Sequence, residues 1–267
     1  MGSLVTDRGV LHFEMIGRGE PLILLHCWIG SWRFWRETME FLVDNGDYRV
    51  YALDFWGFGE SERQEDEPQE AYNVANFVSM VQQFMTRMGI ERTSVFGHSM
   101  GGTVATSLAL DWPQRVRKVA VVGSPLDGRS LSILLKLSSW QWLARLLWKT
   151  PYMLDFIMWG YSPLIARDGG NIYEMTKSTL SQATMFSFSR SIDSLWRTNL
   201  VPELHKLDMP ALGVYGTGDY VVNPKQADVM EAHVTGAQVE RFKGSRHFPM
   251  LDEPERFNQT LLAFLRR

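Results

Sequence analysis

Ser94-Val95-Phe96-Gly97-His98-Ser99-Met100-Gly101-Gly102 decides how this chain folds. An apolar, β-prone run from Thr93 to Phe96 meets a Gly-x-Ser-x-Gly pattern. Small, helix-compatible residues follow from Thr103 to Ala109. The order is strand, sharp turn, helix. Glycine is needed two residues either side of Ser99, because a side chain there would meet backbone as the strand folds into the helix. Such a turn strains the serine backbone and lifts its hydroxyl above the sheet. The helix start behind it offers unpaired N–H groups and a positive dipole end to developing negative charge.

The chain around this stretch alternates. Leu4 to Thr6 and Val10 to Ile16 read as an antiparallel hairpin start. Leu22 to Leu25 is a continuous apolar run, as a buried central strand requires. Trp32 to Val43 carries apolar residues at helical spacing, and Tyr48 to Leu53 is the next strand. Glu62 to Glu70 is charged, holds Pro68 and reads as a surface loop. Asn73 to Met88 is an amphipathic helix. Trp112-Pro113 ends the helix behind Ser99, and Val116 to Val122 is another buried strand. The rhythm then breaks from about Leu126 to Trp196, where helices are punctuated by Pro151, Pro163 and Gly169-Gly170. It resumes with a strand at Leu212 to Tyr215 and a helix at Asn223 to His233. A strand at Gln238 to Phe242 and a helix at Pro254 to Leu265 complete it. Asn223 and Asp252 are the expected caps of these last two helices. The expected fold class is α/β, a mostly parallel sheet covered by helices on both faces. The expected division is a core of residues 1–124 and 197–267, interrupted by a helical cap over 125–196.

These residues resemble the nucleophile elbow of the α/β-hydrolase superfamily, and the resemblance covers 1–124 and 197–267. Over the cap it is a resemblance of layout. It implies a serine hydrolase of the carboxylesterase kind, with Ser99 as nucleophile. A serine hydroxyl needs a base within hydrogen-bond reach. His247, in the loop between the last strand and the last helix, stands where the superfamily keeps its histidine. Asp219 follows a buried strand and gives the chain order Ser, Asp, His that this fold uses. Asp127 is the rival acid. Met100 and Trp28 are the implied backbone donors of the oxyanion hole. His26-Cys27-Trp28 matches a His-Gly-x motif except that Cys27 replaces the glycine. Cys27 reads as a small buried residue rather than a nucleophile. His26, Asp54 and His98 read as residues that hold or shape loops around the site.

Trp140, Trp159, Met185, Phe186 and Phe188 are the expected substrate-binding residues, because a cap rich in aromatics and methionine can line a cavity for apolar groups. The alternative for the same side chains is glue between cap and core. A third reading sets Lys136, Arg145 and Lys149 at a lipid surface, but apolar residues nearly encircle that helix.

Composition narrows the partners. Hydrophobic content is 45% and charged content 21%, which is globular. Net charge is −3, so no global field draws nucleic acid. One cysteine excludes an intramolecular disulfide framework. No signal-peptide core and no bilayer-length apolar run are present, so a soluble, cytoplasmic protein without stable membrane insertion is expected. The expected ligand is a small-molecule ester, with no metal and no cofactor. The same triad serves C–C bond hydrolases, lactonases and perhydrolases. Ser99 argues against epoxide hydrolases and dehalogenases of this fold, which attack with aspartate. From another class, the fold can act as a small-molecule receptor with little turnover.

Overall fold

In the computed structural model, which describes residues 1–62 and 71–267, eight strands form one sheet. They are β1 (Gly2–Thr6), β2 (Gly9–Gly17), β3 (Glu20–Leu25), β4 (Tyr48–Leu53), β5 (Thr93–His98), β6 (Val116–Val122), β7 (Ala211–Gly216) and β8 (Gln238–Phe242). Their order is β1-β2-β4-β3-β5-β6-β7-β8. β1 pairs with β2, and β2 with β4, antiparallel, and the rest pair parallel. The Glu62 to Glu70 loop expectation lies outside the described residues except for Glu62, which is exposed.

The central strands are buried on both faces, which is why they read as unbroken apolar runs. Alternate residues feed opposite cores. Ile23, Leu25 and Val95 pack under α2 (Val74–Arg87) and α3 (Met100–Asp111). Leu22, Leu24 and Phe96 face α1 (Arg36–Asn45) and α11 (Pro254–Leu265). Each such side chain contributes about 1.5–3 kcal/mol by leaving water. Asn73 caps α2, its side chain accepting from the Asn76 N–H at 2.8 Å. The expected helix at Trp32 begins as a short 3₁₀ turn, Trp32–Trp35, before α1.

Between β6 and β7 the chain is helical. It forms α4 (Ile133–Ser138), α5 (Gln141–Lys149), α6 (Pro151–Ile165), α7 (Gly169–Leu180) and α8 (Met185–Arg197). After β7 come α9 (Gln226–His233) and a short α10 (Pro249–Asp252) before α11.

Two caps differ from expectation. α9 starts at Gln226, not Asn223, because the Asn223 side-chain Oδ1 accepts from the Lys225 N–H at 3.0 Å in a local turn ahead of the helix. Gln226 instead accepts from the N–H groups of Leu126 and Asp127. Asp252 does not cap α11. Its carboxylate accepts from the Arg246 N–H at 2.6 Å and the Arg167 N–H at 2.7 Å, bracing the loop that carries His247.

The parallel strands end in register, with Leu25 beside Leu53 and Gly97. Residues that follow them therefore gather along one sheet edge. Cys27, Trp28, Asp54, Ser99 and Asp219 all arrive there for that reason.

Candidate active site

Ser99 holds φ +52°, one of two non-glycine residues with positive φ among those described. A branched backbone approach explains the glycines around it. A Cβ on Gly97 would lie 2.1 Å from the Gly101 carbonyl oxygen, and one on Gly101 would lie 2.4 Å from that of Leu25. The Ser99 N–H donates to the Val122 carbonyl at 2.8 Å, and its own carbonyl accepts from Gly102 and Thr103. The turn is thus fixed to β6 on one side and to α3 on the other.

His247 lies between β8 and α10, and Asp219 lies after β7. His247 Nδ1 and Asp219 Oδ2 are 2.8 Å apart, both side chains nearly sealed from water. The other Asp219 oxygen accepts from the N–H groups of Val221 at 2.7 Å and Val222 at 3.0 Å. The carboxylate is held by three bonds and orients the imidazole as an Nδ1–H donor. Gly123, at φ +52°, makes room: a Cβ there would sit 3.2 Å from Nδ1 and 3.4 Å from Oδ2. The rival Asp127 is elsewhere occupied, accepting from the Arg129 N–H at 2.9 Å at the head of a 3₁₀ turn. Ser99 and His247 border one cavity. No hydrogen bond joins them among the described residues, a gap that is common before a substrate tightens such a site.

The Trp28 and Met100 amides meet no acceptor among the described residues and follow β3 and β5 at the same edge. The Trp28 loop is anchored from three directions. Ile29 takes φ +53°, the Gly30 N–H returns to the Cys27 carbonyl at 3.1 Å, and the Trp28 indole donates to the Phe188 carbonyl at 2.9 Å. His26 donates from Nδ1 to the Cys27 carbonyl at 2.6 Å and accepts at Nε2 from the Phe55 N–H at 2.9 Å. Burial holds its pKa down at about 4, so the ring stays neutral. Asp54 accepts from the Trp32 N–H at 2.6 Å and the Glu60 N–H at 2.8 Å, and burial pushes it up to about 7. Both residues tie loops together. Cys27 is buried beside the cavity, and burial raises its thiol to about 12, far from the thiolate a nucleophile requires.

The cavity measures about 200 Å³. Its lining comes from the sheet edge (Cys27, Trp28, Ile29, Ser99, His247) and from α4 to α8. Of the five expected substrate-binding residues, Phe188 lines it, its ring 4.6 Å from that of Trp28. Trp140 and Trp159 are 45% and 60% exposed and pack, with rings tilted, against Trp142 and Phe156 at the surface. Met185 packs beside Phe188 behind the wall, and Phe186 packs on the larger core. The walls are instead Leu134, Leu147, Leu154, Met158 and Tyr161, with Val221 opposite. Helical spacing carries a signal for them. Leu154, Met158 and Tyr161 recur at intervals of four and three along one stripe of α6, and Leu147 lies on the buried side of α5. No cluster of metal-ligating residues occurs among the described residues, and no described helix is long and apolar enough to cross a membrane.

The model of the alpha/beta hydrolase fold family matches residues 20–254. The chain belongs to that family. As an alpha/beta hydrolase fold protein it is 29% identical to the pimeloyl-[acyl-carrier protein] methyl ester esterase of Vibrio campbellii, over 92% of this chain and 95% of that one. It is 24% identical to a 2-hydroxy-6-oxononadienedioate/2-hydroxy-6-oxononatrienedioate hydrolase of a Pseudomonas species, over 97% and 93%. Among solved structures, an esterase of Exiguobacterium antarcticum superposes over all of both chains with a TM-score of 0.86 at 21% identity. That likeness is one of fold.

Proposed function

We propose that this alpha/beta hydrolase fold protein is a serine hydrolase of carboxylic esters with apolar acyl or aryl groups. One observation carries the reading. The His247 imidazole is oriented by Asp219 at 2.8 Å and faces the same cavity as Ser99 at its strained turn. Ser99 Oγ attacks the ester carbonyl while His247 Nε2 takes its proton. The Trp28 and Met100 N–H groups receive the oxyanion. His247 returns the proton to the departing alcohol, and water then releases the acyl group from Ser99. The apolar lining supports an apolar acyl or aryl moiety, since it replaces water around that group without leaving charges unpaired.

The named esterase relative supports ester chemistry. The C–C hydrolase reading draws on the Pseudomonas relative, whose substrate is by name a dicarboxylate. The cavity lining here includes no Lys or Arg to meet such carboxylates, which favours the ester. The test is a nitrophenyl ester series from acetyl to palmitoyl, run beside a vinylogous diketone and a lactone. Ester turnover should fall about a million-fold in Ser99→Ala. Turnover surviving that change, or confined to the diketone or lactone, overturns the reading.

A further inference from the structure

The packed helices α4, α5 and α6 turn a band of large apolar side chains to solvent. On α5, Trp142, Arg145, Leu146 and Lys149 recur at one-turn spacing and all four are exposed. The inner face of the same helix buries Ala144 and Leu147. Apolar residues encircle α5 because it serves two surfaces. On α6, Tyr152, Phe156 and Trp159 share an outer stripe and are 90%, 69% and 60% exposed. Surfaces of soluble domains scatter such side chains singly, whereas a band of them marks a docking site.

Charge says what docks there. Residues 128–154 hold Arg129, Lys136, Arg145 and Lys149 and no carboxylate, in a chain of net charge −3. Asp155, the acid of α6, is taken up by α7, accepting from the Tyr173 hydroxyl at 2.7 Å with Lys177 Nζ at 3.4 Å. Arg145 and Lys149 meet no carboxylate among the described residues. We propose that this face docks on an anionic phospholipid surface. Trp and Tyr suit the boundary between headgroups and acyl chains, and unpaired cations suit anionic headgroups. A second copy is a poor occupant. A twofold contact would set these cations against themselves with no acid to meet them. Leu134 and Ile157 are partly open to solvent and also border the cavity of Ser99 and His247, so docking brings the cavity rim to the lipid. The docking is independent of the reaction read for the site.

The test is sedimentation of the full chain with vesicles of phosphatidylcholine alone and of phosphatidylcholine mixed equally with phosphatidylglycerol. Binding should appear on the mixed vesicles and weaken with salt. Arg145→Glu/Lys149→Glu should lower it about 25-fold or more, at about fivefold per cation. Trp142→Ser/Tyr152→Ser/Phe156→Ser should abolish it, with the circular dichroism and melting of the parent retained. A chain that stays in the supernatant with mixed vesicles overturns the proposal. So does equal pelleting of the parent and both variants. A lipid-free dimer that the triple variant splits would show that a second copy covers the face instead.

Discussion

His98, the residue before Ser99, donates from Nε2 to the carbonyl oxygen of His247 at 2.8 Å, with the two rings 4.7 Å apart. The ring is fully buried, its Nδ1 has no partner among the described residues, and burial holds its pKa well below the usual histidine value. A neutral His98 thus pins the backbone of the residue proposed as base to the strand that carries the proposed nucleophile. We predict that His98→Ala lowers kcat by up to about 10²-fold, the cost of displacing a catalytic group by an ångström. KM for a nitrophenyl ester should change little. A variant that loses stability but keeps kcat would assign His98 to packing alone.

The proposed acid is decided by the pair Asp219 and Asp127. Asp219→Asn should lower kcat by about 10⁴-fold, because an amide cannot hold the Nδ1–H tautomer. Asp127→Asn should leave turnover within about threefold, since its carboxylate accepts only from the Arg129 N–H at a local turn. Steady-state kinetics of the two purified variants check both, and an inactive Asp127→Asn beside an active Asp219→Asn would reverse the assignment.

His26 makes stability depend on pH. Its native pKa of about 4 lies below the ordinary 6.5. Between those values the unfolded chain takes up a proton that the native site refuses. Its contribution is therefore complete above pH 6.5 and is lost as pH falls toward 4, by about 3 kcal/mol. Asp54, raised to about 7, has the opposite sign over the same range, so the whole-protein curve mixes the two. The clean measurement is the difference between the parent and His26→Gln in urea denaturation. That gap should shrink from pH 7 to pH 4.5, and a gap that is flat or grows would show that His26 is not held neutral.

Cys27 should be inert. Its thiol is buried and raised to about 12, so iodoacetamide at pH 8 should leave the native protein unmodified and alkylate it once urea unfolds it. Intact-mass spectrometry reads this directly. Cys27→Ala should keep ester turnover within about tenfold, and rapid native alkylation would contradict the burial.

Much of this was legible in the primary structure because local chemistry and final position coincide. Gly97 and Gly101 announce a turn that no other residue survives, and unbroken apolar runs such as Leu22 to Leu25 announce strands buried on both faces. The orientation of Trp140 and Trp159 was not legible. On helices apolar on every side, spacing groups the side chains into stripes but does not say which stripe meets the cavity. The caps of α9 and α11 were misread for a related reason. Asn223 and Asp252 are good local acceptors, but Asn223 closes a turn on the Lys225 N–H before the helix begins, and Asp252 is taken by the N–H groups of Arg246 and Arg167. The role of His98 is invisible locally, since its partner lies 149 residues away.

The Trp28 indole is fastened to the Phe188 carbonyl on α8 at 2.9 Å. One of the two amides proposed to quench the nascent alkoxide therefore rides on the helical roof rather than on the sheet alone. The rest of that loop is held from the sheet side, by the Gly30 N–H and His26 Nδ1 on the Cys27 carbonyl. That single indole bond is the tether by which the helical insertion and the strand-end loop share one geometry.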